Sequence, residues 1–450
     1  MAVYVVTGCT NGGLGYHCVK SLYSQGGDVT VVLACRNVAA AKEAAAMIWG
    51  GMTASCGRPG EECTGSGLVV LETPLELSDC GSVRAYAAAL RVWLGTRRIT
   101  GLVNNAGSGG SPNYEQNEKG HEMIFATNYL GHFLLTVLLL SSMSRGGRII
   151  NVSSEVHDPA TETTLPDPGQ FWPSNFQEYE ARLLRGEPCL GEEEDAETCR
   201  GRRYSRSKLC NVLSTNELAR RLSGAVPFGA DEMVARTSQE AVTNASCKLP
   251  TARSLTVIAM NPGLMLDTNF VTGVVGDRLG WVAYALSPVL LLMPIGKLMR
   301  SGSGSGEDLA VLACGGGDAQ AATAAFYSGH EVHPSSEFSR SREVVMSKQV
   351  ELWNHSLTWA QVVPRELMAA GLASSTEAAG SLTVAGLARF ARACSEGSQH
   401  PIHPLTAAGL TSFTRGHSEG SPLTAAGLAS FTKAHSDGFI HIGAVKEVSL

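Results

Sequence analysis

The sequence predicts an α/β fold: a doubly wound parallel sheet with helices on both faces. Three observations predict it. The chain opens on a short apolar run at residues 2–6, which leads through a glycine-rich turn into a helical pattern (Val19, Leu22, Tyr23). A second apolar run, Val29–Ala34, follows at once. Two more, Thr100–Val103 and Arg148–Val152, come later, the second ahead of a stretch with helical periodicity. Short apolar runs bounded by turn signals suit strands that are buried on both faces.

The first β-α-β unit carries chemistry in its turn. The segment TGCTNGGLG at 7–15 lies between strand and helix. Glycines there let backbone N–H groups approach a pyrophosphate at a helix N-terminus. After the second strand comes Ala34-Cys35-Arg36-Asn37. An Asp or Glu at such a place accepts from the ribose hydroxyls, whereas Arg36 offers a planar cationic fork to a 2′-phosphate. NADP(H) is therefore expected over NAD(H), although an arginine at a strand end is otherwise an ordinary exposed side chain.

The next signal is YSRSKLCNVLSTNELARRL, where Leu209, Val212, Leu213, Leu218 and Leu222 recur at helical spacing. Tyr204 and Lys208 then share one helix face. An ammonium beside a phenol favours the phenolate, which suits proton exchange at a carbonyl oxygen. Alone, this spacing is common among surface pairs.

Together these segments resemble the short-chain dehydrogenase/reductase family, in its retinol dehydrogenase-like and WW-domain oxidoreductase-like branch. The matching stretches are TGCTNGGLG (7–15), LACRN (33–37), LELSDCGSVR (75–84), LVNNAG (102–107), TNYLGHFLLTVLL (127–139), RIINVSSEVHD (148–158), YSRSKLCNVLSTNELARRLS (204–223) and NPGLMLDTNF (261–270). They keep the family's order and span roughly residues 1–360. The resemblance implies a Rossmann-type sheet. It places Thr7, Gly8, Asn11, Gly13, Leu14 and Gly15 at the cofactor turn and Arg36 at the 2′-phosphate. Glu76 and Leu77 fall at the adenine, and Asn104, Asn105, Ala106 and Gly107 at its ribose. Pro262, Gly263 and Thr268 fall at the nicotinamide. Asn128, Ser154 (with Ser153 as the fallback), Tyr204 and Lys208 match the catalytic positions, and the last two also grip the cofactor. The chain departs from the family in two places: one extra residue stands in the glycine loop, and Glu76 replaces the usual Asp.

What the resemblance implies mechanistically is hydride transfer between a nicotinamide and a carbonyl or alcohol carbon. Ser154 would hydrogen-bond the substrate oxygen and Tyr204 would supply the proton. Lys208 would favour the phenolate, with Asn128 supporting the lysine through water. The implied substrate is a small apolar carbonyl or alcohol, and the implied assembly a homodimer. Two other functions remain open. One is light-dependent protochlorophyllide reductase-like C=C reduction, suggested by the Ala-Cys-Arg segment and by Cys210 two residues beyond the lysine. The other is a catalytically weak nucleotide-binding scaffold.

Composition bounds the rest. The 450 residues carry a formal charge of −6, which gives no basic field for nucleic acid. The hydrophobic share of 44% suits a globular core. Twelve cysteines without paired Cys-x-x-Cys clusters read as reduced thiols, with no metal site expected. The first strand starts at Ala2, so a cytoplasmic location is expected, or an organellar one if a transit peptide has been removed. Insertions are expected at 49–67, 158–203 (with the acidic run Glu192–Asp195) and 225–252. The apolar stretch 281–298 reads as a substrate-binding helix and lid, or as a shallow membrane contact. The dehydrogenase-like domain is expected over 1–360. A partly helical, low-complexity repeat tail is expected over 361–450, with near-copies at 404–421 and 422–439 and a looser copy at 382–398.

Overall fold

Eight strands form one sheet in the order β3-β2-β1-β4-β5-β6-β7-β8. They are β1 (Ala2–Thr7), β2 (Val29–Ala34), β3 (Gly67–Val69), β4 (Ile99–Asn104), β5 (Met143–Val152), β6 (Thr256–Asn261), β7 (Phe326–Ser328) and β8 (Glu331–His333). Every neighbouring pair is parallel except the edge pair β7–β8. The structure is a computed structural model. It describes residues 1–10, 12–50, 67–111, 113–161, 167–169, 172–187, 195–223, 254–265, 300–315 and 323–372.

The period-2 alternation of the strands builds two cores. Val3, Val5, Val32, Leu102, Ile149 and Val257 face one side. Tyr4, Val6, Val31, Leu33, Val103, Ile150 and Ile258 face the other. Helices α1 (Leu14–Ser24), α2 (Val38–Gly50), α3 (Cys80–Leu94), α4 (Met123–Ser142), α5 (Ala196–Ser223) and α6 (Gly302–Cys314) cover these faces. Helix α1 buries Leu14, Cys18, Val19, Leu22 and Tyr23, a stripe at helical spacing. Asp79 starts α3 by accepting from Gly81 N and Ser82 N at 2.8 and 3.1 Å.

Helix α4 is apolar all round because it is a core helix. By length and composition it could cross a membrane, yet 89% of its apolar window is buried within the protein. Its residues Ala126–Leu130 form a π turn. Such turns concentrate at functional sites, and this one carries Asn128.

A first compact unit spans Met1–Leu372. Its last described helices, α7 (Gln349–Trp359) and α8 (Pro364–Ala370), send Trp353 and Ala370 into the first core. Glu366 of α8 pairs with Arg84 of α3. The second unit, Ala373–Leu450, holds the repeats and lies outside the described residues, as do 51–66, 224–253 and the apolar stretch 281–298. Of the acidic run Glu192–Asp195, only Asp195 is described.

Candidate functional site

The C-terminal ends of β1, β4, β5 and β6 converge where the strand order reverses, between β1 and β4. Ligands of open α/β sheets bind at that crevice. The glycine turn sits there. Gly8 has φ +70°, and a Cβ on it would lie 2.8 Å from Ala106 Cα. A Cβ on Gly15 would lie 2.4 Å from Gly8 O and 2.6 Å from Asn105 Nδ2. Only glycine lets the β1 turn, the start of α1 and the end of β4 meet this closely.

Gly13 is the N-cap of α1, with no side-chain cap and no acidic residue in the first turn. That helix end can therefore offer its N–H groups to an anion. The adjacent Gly12 takes φ +76°, a conformation that favours glycine. Leu14 turns into the second core, and Asn11 lies outside the described residues. These features fit a dinucleotide phosphate.

Thr7 fastens the two strand ends. Its Oγ1 accepts from Asn105 N and Ala106 N, both at 2.9 Å. Asn105 Nδ2 returns to Thr7 O at 2.7 Å and Gly8 O at 3.1 Å. Asn104 corrects its sequence expectation. Its side chain is buried and donates to Thr136 Oγ1 and Asn151 Oδ1, both at 2.8 Å, so it ties β4 to α4 and β5 and turns away from the crevice.

Arg36 is 80% exposed and pairs with Glu76 at 3.3 Å. The other Glu76 oxygen accepts from Ser78 N and Ser78 Oγ. These two oppositely charged residues therefore touch each other. Leu77 is buried, and its carbonyl would meet any Cβ placed on Gly131 at 2.1 Å. At the far side of the crevice, Gly263 has φ +79° and its N–H donates to Asn261 Oδ1 at 3.1 Å. Pro262 O accepts from Ser305 Oγ at 2.6 Å. Thr268 lies outside the described residues.

Helix α5 brings the catalytic candidates together beside β5. Lys208 Nζ lies 5.6 Å from the centre of the Tyr204 ring and donates to Val152 O at 3.2 Å. The Ser154 hydroxyl hydrogen-bonds the Tyr204 phenol. The two serines separate cleanly. Ser153 is buried and donates to Lys208 O at 2.8 Å, which leaves Ser154 as the hydroxyl at the phenol. Asn128 is also buried. It accepts from Ser108 N at 2.8 Å and donates to Ser108 O at 3.0 Å and Ser207 Oγ at 3.1 Å. A Cβ on Gly107 would meet Asn128 Oδ1 at 3.4 Å and Lys208 Nζ at 3.6 Å, so Gly107, Asn128 and Lys208 share one corner.

The electrostatics differ from the sequence expectation. Burial pushes the Tyr204 phenol above its usual range, and the charge of Arg200 and the Ser154 hydrogen bond pull it back. Burial brings Lys208 down to about 8. Desolvation thus dominates at both residues.

Two residues escaped the sequence reading. Arg200 stands four positions before Tyr204, as Lys208 stands four after. It is buried, donates to Gly109 O at 2.7 Å and pairs with Glu197. That spacing was the available signal. His132 is buried, and burial brings it down to about 4, so it is neutral. Its Nδ1 lies 3.2 Å from Asn128 O and its Nε2 lies 2.9 Å from Thr7 Oγ1. A carbonyl can only accept, so Nδ1 carries the proton and Thr7 donates to Nε2. Threonine, histidine and asparagine thereby link the cofactor turn to the π turn of α4.

Residues 2–162 match the short chain dehydrogenase family. Over this part the chain is similar to short-chain dehydrogenases and to curated retinol dehydrogenases. Among its relatives, retinol dehydrogenase 14 of Mus musculus is 36% identical over 222 residues, 49% of this chain and 56% of that protein. Retinol dehydrogenase 11 of Homo sapiens is 34% identical over 224 residues, 49% and 57% respectively. The chain thus matches little more than half the length of these relatives. Among solved structures, L-sorbose reductase from Gluconobacter frateurii, complexed with NADPH and L-sorbose, is 20% identical with a TM-score of 0.44. That alignment covers 73% of this chain and 94% of the reductase.

Proposed function

We propose that the chain is an NADP(H)-dependent oxidoreductase that interconverts a small apolar carbonyl and its alcohol. The observation that carries this reading is the meeting of Ser154, Tyr204 and Lys208 beside a glycine-lined crevice. A bound nicotinamide nucleotide would supply or accept the hydride. Everything else falls to the protein. Ser154 orients the substrate oxygen, and Tyr204 gives it a proton during reduction or takes one during oxidation. Lys208, charged below about pH 8, stabilises the phenolate that results. Asn128 holds Ser108 and Ser207 around that lysine, and the burial of the group keeps bulk water from competing.

Arg36 supports the choice of NADP(H), because its exposed guanidinium can turn from Glu76 to a 2′-phosphate. The retinol dehydrogenases among the relatives support an apolar alcohol as the substrate class. A panel of retinoids, steroids, aliphatic aldehydes and quinones tests both points. The expected result is oxidation of NADPH by at least one class, faster than of NADH. Binding of NADPH without turnover across the panel would favour a nucleotide-sensing scaffold instead.

A further inference from the structure

Two cysteines meet in the second core beside the glycine turn, Cys9 directly after Gly8 and Cys35 directly before Arg36. The β1–β2 register ends with Thr7 opposite Ala34, and Gly8 N still donates to Ala34 O at 2.9 Å beyond it. The backbones are therefore still adjacent where the cysteines occur. Neighbouring strands run about 4.8 Å apart. Continued by one residue, the register sets Cys35 opposite Gly8 and next to Cys9, and a disulfide spans roughly 4.4–6.8 Å between Cα atoms. The Cys9 N–H points at Cys35 Sγ at 3.1 Å. The Cys9 thiol donates to Val6 O at 2.9 Å.

We propose that Cys9 and Cys35 are a modification site beside the glycine turn, closing to a reversible disulfide when a peroxide is the oxidant. The roles of the two sulfurs follow from their surroundings. The Cys9 thiol, then the N–H groups of Cys9 and Gly8, draw the Cys35 thiol below its usual range against the effect of burial. Burial pushes Cys9 well above its own. Cys35, the more exposed sulfur and the one that accepts the Cys9 N–H at 3.1 Å, is the thiolate that attacks, and the fully buried Cys9 is the thiol that resolves. In the first step the Cys35 thiolate displaces hydroxide from hydrogen peroxide and becomes a sulfenic acid. In the second, Cys9 sulfur attacks that sulfur, the S–O bond breaks, and the thiol proton leaves with the hydroxide as water. Overall, two thiols and one peroxide give one disulfide and two waters.

Access is narrow, since Cys9 is fully buried and Cys35 is 6% exposed. A small oxidant is required, and a ligand in the crevice would bar it. The bridge would also fix Cys9 against β2, holding the turn that begins at Gly8. The consequence for binding rests on the proposed cofactor reading, whereas the chemistry of the pair does not.

The test uses the reduced full chain, hydrogen peroxide and peptide mapping by mass spectrometry without reductant. The expected product links the Cys9 and Cys35 peptides with loss of two hydrogens, and dithiothreitol reverses it. Saturating NADPH should slow its formation at least tenfold, and the oxidised protein should bind NADPH at least tenfold more weakly by fluorescence titration. In Cys9→Ala the linked peptide should vanish and a sulfenic acid should accumulate on Cys35, trapped by a carbon-acid reagent. Peroxide that oxidises the exposed Cys314 yet leaves Cys9 and Cys35 as free thiols would overturn the proposal. So would pairing of either cysteine with another residue. If the reduced protein fails to bind NADPH, the cofactor reading falls, while the peptide map still decides the disulfide.

Discussion

Ser153 donates its hydroxyl to the main-chain oxygen of Lys208 at 2.8 Å, tying the end of β5 to the middle of α5. The next residue, Ser154, turns its hydroxyl to the Tyr204 phenol instead. Neighbouring serines thus divide structural and chemical work, and their alanine variants should separate along that line. Ser153→Ala removes one of two hydrogen bonds to a mid-helix carbonyl, which costs about 0.5–1.5 kcal/mol of stability. Ser154→Ala should keep the melting temperature and lower kcat by at least tenfold. Thermal melts and steady-state rates on both variants check this, and equal kcat losses would contradict it.

Lys208 sets an alkaline limit. Its pKa is brought down to about 8 from the lysine value of 10.5, so it loses its charge as pH rises through about 8. The profile of kcat/KM, which reports the free enzyme, should fall along a limb there. Stability moves the other way. Between about 8 and the unfolded value the unfolded chain binds more protons than the native one, so native stability rises with pH across that window. Lys208→Arg, charged throughout, should remove the limb at a lower plateau. An unbroken wild-type plateau through pH ~10, beyond the limb that deprotonation of a lysine imposes, would contradict the assignment.

The Arg36–Glu76 pair bears on cofactor choice. Arg36→Ala should raise the KM for NADPH at least tenfold and leave that for NADH nearly unchanged. Glu76→Gln removes a carboxylate that competes for the guanidinium. An exposed pair is worth at most about 1 kcal/mol, so the gain for NADPH should stay within about fivefold. Initial rates with both cofactors decide the matter.

Arg200 pulls the Tyr204 phenol down from the range into which burial pushes it. Arg200→Gln should slow alcohol oxidation about tenfold at neutral pH, the effect of ~1.4 kcal/mol of lost charge interaction. It should also move the acid limb of that rate to higher pH, and Arg200→Lys should restore both. An unshifted limb in the glutamine variant would show that Arg200 only braces the Gly109 loop.

The sheet was legible because each parallel strand is a short apolar run with turn signals beside it. The Val29–Ala34 run coincides with β2, and Thr100–Val103 lies within β4. The meeting of Tyr204, Lys208 and Ser154 followed from motif order. The choice between Ser153 and Ser154 did not, since adjacent residues at a strand end point opposite ways and only register fixes which way. Asn104 was misplaced for the same reason: it alternates inward while Asn105 turns to the crevice. Desolvation at Tyr204 and Lys208 was invisible, because burial of a helix face depends on what packs against it. The partnership of Cys9 with Cys35 joins residues 26 apart, and only strand adjacency reveals it.

The account stands on Tyr204 as the proton donor and acceptor, and Tyr204→Phe tests it most directly. The variant removes one oxygen and keeps the ring. Rates of NADPH oxidation should be compared on whichever carbonyl the wild type turns over, with NADPH binding measured in parallel. The account predicts a loss of at least about a hundredfold in kcat, the usual scale for a positioned proton donor, with nucleotide affinity retained. Full turnover by the phenylalanine variant would contradict it.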